Sequence, residues 1–189
     1  MLASRVTEQA KADFDRDGIV IVRNFFSDPE TRQLNENVHR YTENVVPRIP
    51  AKDVFYQDKT KSADLNALLR LENMEQHDPY FAQLSVDMDP VAHRLLGEPA
   101  SAQRVAMFDK AAGIGEPTPP HQDGYYFMLN PNVAVTFWLP LEAADELNGC
   151  VRYVRGSHRQ GLRQHELSGV FGFSLGITDF GPQDEEEEV

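Results

Sequence analysis

VAVTFWLPL, residues 133–141, is an almost unbroken run of apolar and β-branched residues ending at a proline and a leucine. Such a run is too short for a membrane span and reads as a strand buried on both faces. Its neighbours have the same character. QRVAMFDK (103–110), HQDGYYF (121–127), CVRYVRGSH (150–158) and VFGFSLGI (170–177) each read as strands, separated by the Gly/Pro-rich AAGIGEPTPP and the loop ADELNG.

The first half of the chain is different. Val6, Ala10 and Phe14 recur at helical spacing over residues 4–15, ending near Asp17–Gly18. IVIVR (19–23) reads as one early strand. Asp28–Pro29, Asp78–Pro79 and Asp89–Pro90 each place a capping carboxylate ahead of a proline, predicting helices over 29–45, 79–86 and 90–96. A further helix is expected over 64–73. Helices first and strands later define an α+β chain, with helices packed outside a β-sandwich or jelly roll. About five or six strands are two or three short of a closed eight-stranded jelly roll, so the expectation is a domain lacking its C-terminal strands.

At 189 residues and 21.4 kDa the chain fits a single domain, expected to span 1–183, followed by an acidic, disordered tail at 184–189. The formal net charge is −12, and with Asp184 and residues 185–188 set aside the body still carries −7. That field repels phosphate backbones and argues against a nucleic-acid partner; a small-molecule substrate is easier to reconcile with it. Cys150 is the only cysteine, which excludes an intramolecular disulfide and thiolate-built zinc sites. Neither a signal-peptide core nor a membrane-length apolar run is present, so a cytoplasmic protein without membrane partners is expected.

The chemistry concentrates in PTPPHQDGYYF (117–127). In an extended segment, residues two apart face the same way, so His121 and Asp123 would project together while Gln122 turns aside. An imidazole and a carboxylate suit divalent iron; a second histidine on the same face would complete a 2-His-1-carboxylate triad with open positions opposite. Pro119 and Pro120 stiffen the approach and Gly124 permits close contact. Tyr125, Tyr126 and Phe127 are candidates for the wall of a substrate pocket, although strand aromatics commonly serve as core.

Taken in order, FDK (108–110), the HQD segment, TFWLPLEAADELNGC (136–150) and RGSHRQG (155–161) resemble the phytanoyl-CoA dioxygenase family of non-haem Fe(II), 2-oxoglutarate-dependent oxygenases. FDRDGIVIVRNFFS (14–27) is similar to the family's opening, and the likeness is weakest over 50–100. The resemblance implies a cupin-like double-stranded β-helix (jelly roll) and a dioxygenase that hydroxylates a small organic substrate with molecular oxygen. His121 and Asp123 match the first two iron ligands, Lys110 a lysine near the cosubstrate, and Trp138 an aromatic on the adjacent strand. Asp123 further implies the hydroxylase type, because halogenating relatives carry a small residue there.

The family's third ligand is a distal histidine after a Gly-Asp turn, with a 2-oxoglutarate-anchoring arginine beyond it. After Asp123 this sequence offers only His158 and His165. His158 lies in a motif whose histidine is not a ligand, and His165 in LRQHEL reads as part of a solvated turn or short helix. Two other readings stand beside the oxygenase. One is a truncated, catalytically inactive jelly-roll protein that binds a small acid; the other is a metal-dependent hydrolase or cupin-type isomerase using His121, Asp123 and His165.

Overall fold

A computed structural model describes residues 1–57, 68–102, 104–109, 117–170 and 173–189. Its N-terminal half is helical. After a 3-10 turn at Leu2–Arg5, α1 spans Glu8–Asp17 and stops at Gly18, whose φ of 76° is the left-handed conformation that glycine adopts without penalty. Helix α2 spans Asp28–Asn44. Its N-cap is Ser27, with Asp28 and Pro29 inside the first turn, so the capping role read for Asp28 belongs to its neighbour. The Ser27 amide donates to Glu30 Oε2 at 2.8 Å, and Arg5 holds the same carboxylate from the other side. Those donors, Arg5 first, pull the Glu30 carboxyl down to about 2.

A three-stranded antiparallel sheet follows, with β1 at Val54–Tyr56, β2 at Leu68–Leu71 and β3 at Met107–Phe108 in the order β1-β2-β3. The helix expected over 64–73 is therefore corrected at its C-terminal end: residues 68–71 form the central strand, and residues 64–67 lie outside the described set. Leu68, Leu69 and Leu71 are all buried, so the apolar run serves a strand covered on both faces.

Helix α3 is a single turn at Met74–His77, and α4 runs unbroken over Pro79–Leu96. Two helices had been expected here. Asp78 caps as read, accepting from the Tyr80 amide at 3.0 Å with Pro79 at the first position. Asp89 does not cap; its carboxylate takes the Ala102 amide at 2.6 Å, and Pro90 sits inside the helix. Packing outweighs the lost ladder bond, because Met88, Val91, Ala92 and Leu95 on that stretch are buried.

Two apolar clusters hold these parts together. One joins Leu34 and Tyr41 of α2 to Leu68, Leu71, Met74 and Phe81, with the Tyr41 and Phe81 rings edge to face at 5.2 Å. The other joins Val6, Met88, Val91 and Leu95 to Val20, Val135 and Phe137. IVIVR (19–23) belongs to no described strand: Val20 packs into the second cluster, Ile21 is exposed, and a turn follows at Asn24. Its β-branched residues had the propensity, but among the described residues no strand pairs with them.

The second half contains less regular structure than the sequence suggests. Residues 133–141 form no described ladder and are not buried on both faces. Half-buried Val135, Phe137, Leu139 and Leu141 alternate with exposed Thr136, Trp138 and Pro140, the period of a segment with one face on the core. Asn35 of α2 ties down its end by donating to the Leu141 carbonyl at 2.9 Å. HQDGYYF is not a strand either, since α5 begins at Asp123 and ends at Phe127. CVRYVRGSH reduces to one isolated bridge between Val154 and Glu188.

RGSHR instead packs on the C-terminal end of α1. The Gly156 amide donates to Asp17 O at 2.7 Å and the Arg159 guanidinium to Asp15 O at 2.9 Å, satisfying carbonyls that the helix leaves free. Strands β4 (His165–Val170) and β5 (Phe173–Ile177) form an antiparallel hairpin. The acidic end, expected to be disordered, is helical as α6 over Pro182–Glu186, and Val189 exchanges backbone hydrogen bonds with Tyr153. Arg163 holds it, pairing with Asp184 at 2.8 Å and Asp179 at 2.9 Å. No described helix is long and apolar enough to cross a membrane.

Candidate metal centre

The approach to the site is Pro119–Pro120, and Gln122 keeps extended backbone with φ −116° and ψ 121°. One extended residue between two side chains is enough to bring them together before the chain coils into α5. His121 Nε2 lies 3.4 Å from Asp123 Oδ1. Each side chain is held from its far side. The Pro119 carbonyl accepts from His121 Nδ1 at 2.9 Å, and the Thr136 hydroxyl donates to Asp123 Oδ2 at 2.7 Å. These partners leave Nε2 and Oδ1 facing one another.

The charges reinforce this arrangement. The hydrogen bond to Asp123 raises the His121 imidazole above its ordinary value, with burial opposing and the Pro119 carbonyl adding to the rise. His121 likewise holds the Asp123 carboxyl below the usual carboxylate range, helped by Thr136 and the field of Arg104. Tyr153 completes the surroundings: burial, and then the charge on Asp123, push its phenol upward. Arg104 is itself fixed by an ion pair to buried Glu72 at 2.9 Å. Thr136, Arg104 and Tyr153 come from three separate stretches, and none of them was singled out from the sequence as a site residue.

The aromatics after the pair brace the turn. Tyr126 meets His121 edge on at 5.8 Å; its hydroxyl donates to Leu175 O at 3.0 Å and accepts from Leu175 N at 3.1 Å. Tyr125 stacks on His165 at 4.1 Å. Space at Gly124 is tight, because the Asn132 carboxamide lies 3.0 Å from where a Cβ would stand and donates to Gly124 O at 2.9 Å. Phe127 is half-buried at the end of α5.

Of the other residues singled out from sequence, Lys110 lies outside the described residues. Trp138 stands on the exposed side of the 133–141 segment, two residues beyond Thr136 and 45% exposed. His158 sits on the 3-10 turn at Ser157–Arg159, its ring against Gly18. His165 is not in a solvated turn but buried at the start of β4, with both ring nitrogens engaged. Among the described residues no group of three histidine, cysteine or acidic side chains converges as a metal cluster, so His165 does not join His121 and Asp123.

The pair nonetheless fits a divalent iron. A ligating imidazole characteristically donates its second N–H to a carbonyl, and a ligating carboxylate is itself hydrogen-bonded; Pro119 and Thr136 supply those contacts. Neighbouring ligands on one ion, each about 2.1 Å from it, stand about 3 Å apart, close to the observed separation.

An exposed His-x-Asp pair braced by one backbone carbonyl and one hydroxyl, beside a helical N-terminal half and small antiparallel sheets, defines a candidate mononuclear metal protein of mixed α and β structure. The phytanoyl-CoA dioxygenase (PhyH) family model matches residues 14–173, and the chain belongs to that family. The peroxisomal phytanoyl-CoA dioxygenase of Rattus norvegicus is 23% identical over 181 residues, covering 89% of this chain and 54% of the relative. Phytanoyl-CoA dioxygenase 1 of Oryza sativa subsp. japonica is 24% identical over 199 residues, covering 87% of this chain and 69% of the relative. The 1-deoxypentalenic acid 11-beta-hydroxylase of Streptomyces exfoliatus is 36% identical over 87 residues, covering 43% and 30% respectively. The chain thus spans little more than half the length of the rat relative. No solved structure matches it.

Proposed function

We propose that this protein is an Fe(II)- and 2-oxoglutarate-dependent dioxygenase of the hydroxylase type, acting on a small organic substrate. The observation that carries the reading is the His121 Nε2–Asp123 Oδ1 pair at 3.4 Å, with the far atom of each side chain held by a hydrogen bond. Family membership and relatives named as dioxygenases and a hydroxylase support the oxygenase class. We place the 133–141 segment and the described strands in a cupin-like double-stranded β-helix on the same grounds.

In this reading His121 Nε2 and Asp123 Oδ1 are two iron ligands, Lys110 and Trp138 border 2-oxoglutarate, and Tyr125, Tyr126 and Phe127 wall the substrate side. When bound, iron would supply oxygen activation for hydroxylation of an unactivated C–H bond, one oxygen atom going to the substrate and the other to succinate as 2-oxoglutarate loses carbon dioxide. The chain's own part is to keep the imidazole in its Nδ1–H form through Pro119, to hold the carboxylate through Thr136, and to leave the opposite side open to solvent and ligands. A reducing cytoplasmic setting, consistent with the lone Cys150, suits ferrous iron.

The test is Fe(II)-dependent formation of succinate from 2-oxoglutarate by wild type, His121→Ala and Asp123→Ala. Turnover is expected in the wild type alone; turnover retained in either variant defeats the metal assignment.

A further inference from the structure

Gln122 stands between the two proposed ligands, and its peptide is held from behind. Its N–H donates to His165 Nε2 at 3.0 Å, while His165 Nδ1 faces the Arg163 carbonyl at 2.9 Å. A carbonyl only accepts, so Nδ1 carries the proton and Nε2 is the free acceptor. The ring is committed on both sides. It is 6% exposed and lies nearly parallel to Tyr125, with an interplanar angle of 24°.

The Gln122 side chain repeats the attachment. Its Nε2 donates to Gly161 O at 2.9 Å and its Oε1 accepts from Arg163 N at 2.7 Å. One residue earlier, Pro120 O accepts from Ile177 N at 2.8 Å. Residues 161–165 and β5 therefore grip the backbone of the HQD segment on the side away from His121 and Asp123.

We propose that His165 is a positioning residue that sets the separation of His121 and Asp123 by fixing the Gln122 peptide; this rests on the metal reading of the pair. The φ and ψ of Gln122 determine where both flanking side chains point, and His165 is the acceptor that holds its amide. Phenylalanine would preserve the stack on Tyr125 but leave that amide without a partner. Glutamine can return an amide oxygen to about the place of Nε2.

The experiment compares wild type, His165→Phe and His165→Gln by two readouts on the full chain. The first is NMR hydrogen exchange of the Gln122 amide in the metal-free protein, with the Gly18 and Glu72 amides as controls for global folding. The second is Co(II) affinity from its visible absorption. The expected result is that His165→Phe speeds Gln122 exchange about tenfold while the controls hold, that Co(II) affinity falls roughly 10–100-fold, and that His165→Gln restores both. Unchanged exchange at Gln122 in His165→Phe overturns the proposal, as does unchanged Co(II) affinity despite faster exchange. If the wild type binds no Co(II) while Gln122 remains protected, the metal reading of the pair fails and with it the positioning role.

Discussion

Asp78 is the residue on which the helical half can be tested most sharply. It does two jobs at once. Its Oδ1 accepts the Tyr80 amide at the start of α4, and both of its oxygens take Arg40 of α2 at 2.8 Å. Replacing it with alanine removes the cap, worth about 1 kcal/mol. It also removes a bidentate, charge-assisted pair, worth about 2 kcal/mol. The Asp78 side chain is 5% exposed but Arg40 is 41% exposed, so the freed guanidinium rehydrates and the pair stays at the lower end of its range. The expected loss in urea unfolding at pH 7 is therefore about 3 kcal/mol. In an Arg40→Met background the same change should cost only the cap, about 1 kcal/mol. The pH dependence has a definite sign. Arg40, opposed by burial, lowers the Asp78 carboxyl below its ordinary value. A depressed folded-state value contributes stability above the unfolded carboxylate pKa of about 3.9, lost as pH falls through the folded value. The wild-type advantage over Asp78→Ala should thus be flat near neutrality and shrink at acid pH. A loss below about 1 kcal/mol, or no coupling with Arg40→Met, refutes this account of how α2 and α4 are joined.

Three further changes test other parts of the molecule. Thr136→Val removes the donor to Asp123 Oδ2 without changing side-chain shape, and Co(II) affinity should fall roughly tenfold, with Thr136→Ser close to wild type. Gly18→Ala should cost at least about 1 kcal/mol in thermal or urea unfolding, because the residue has positive φ and the new methyl would meet the His158 ring. Arg163→Met strips Asp184 of its partner in a pair whose side chains are 15% and 13% exposed. Limited proteolysis or hydrogen exchange should then show opening of 182–189 before the helical half unfolds.

What could be read in the chain beforehand follows a physical division. The end of α1 and the start of α4 are written locally, in Gly18 and in Asp78–Pro79, because capping involves residues within one turn of each other, whereas at α2 the cap read at Asp28 belongs to Ser27. His121 and Asp123 were legible for the same reason. Two side chains separated by one extended residue share a face, and even the unexpected helix α5 starts too late to part them. Propensity misled where a partner decides the outcome. Among the described residues IVIVR has no neighbouring strand, and Pro90 stays helical because buried Val91 and Leu95 hold its turn in the core.

By itself, then, the sequence determined the family, the helix boundaries at Gly18 and Asp78, and the pair of proposed ligands. Only the tertiary structure decided that Thr136 reaches Asp123 across 13 residues and that His165 comes back over 43 to hold Gln122. It also turned a tail of like charges into a helix docked on Arg163. Each of those contacts is made by residues far apart along the chain. Their meeting depends on how α2, α4 and the β4–β5 hairpin pack, a sum over many buried contacts that no single stretch of sequence displays.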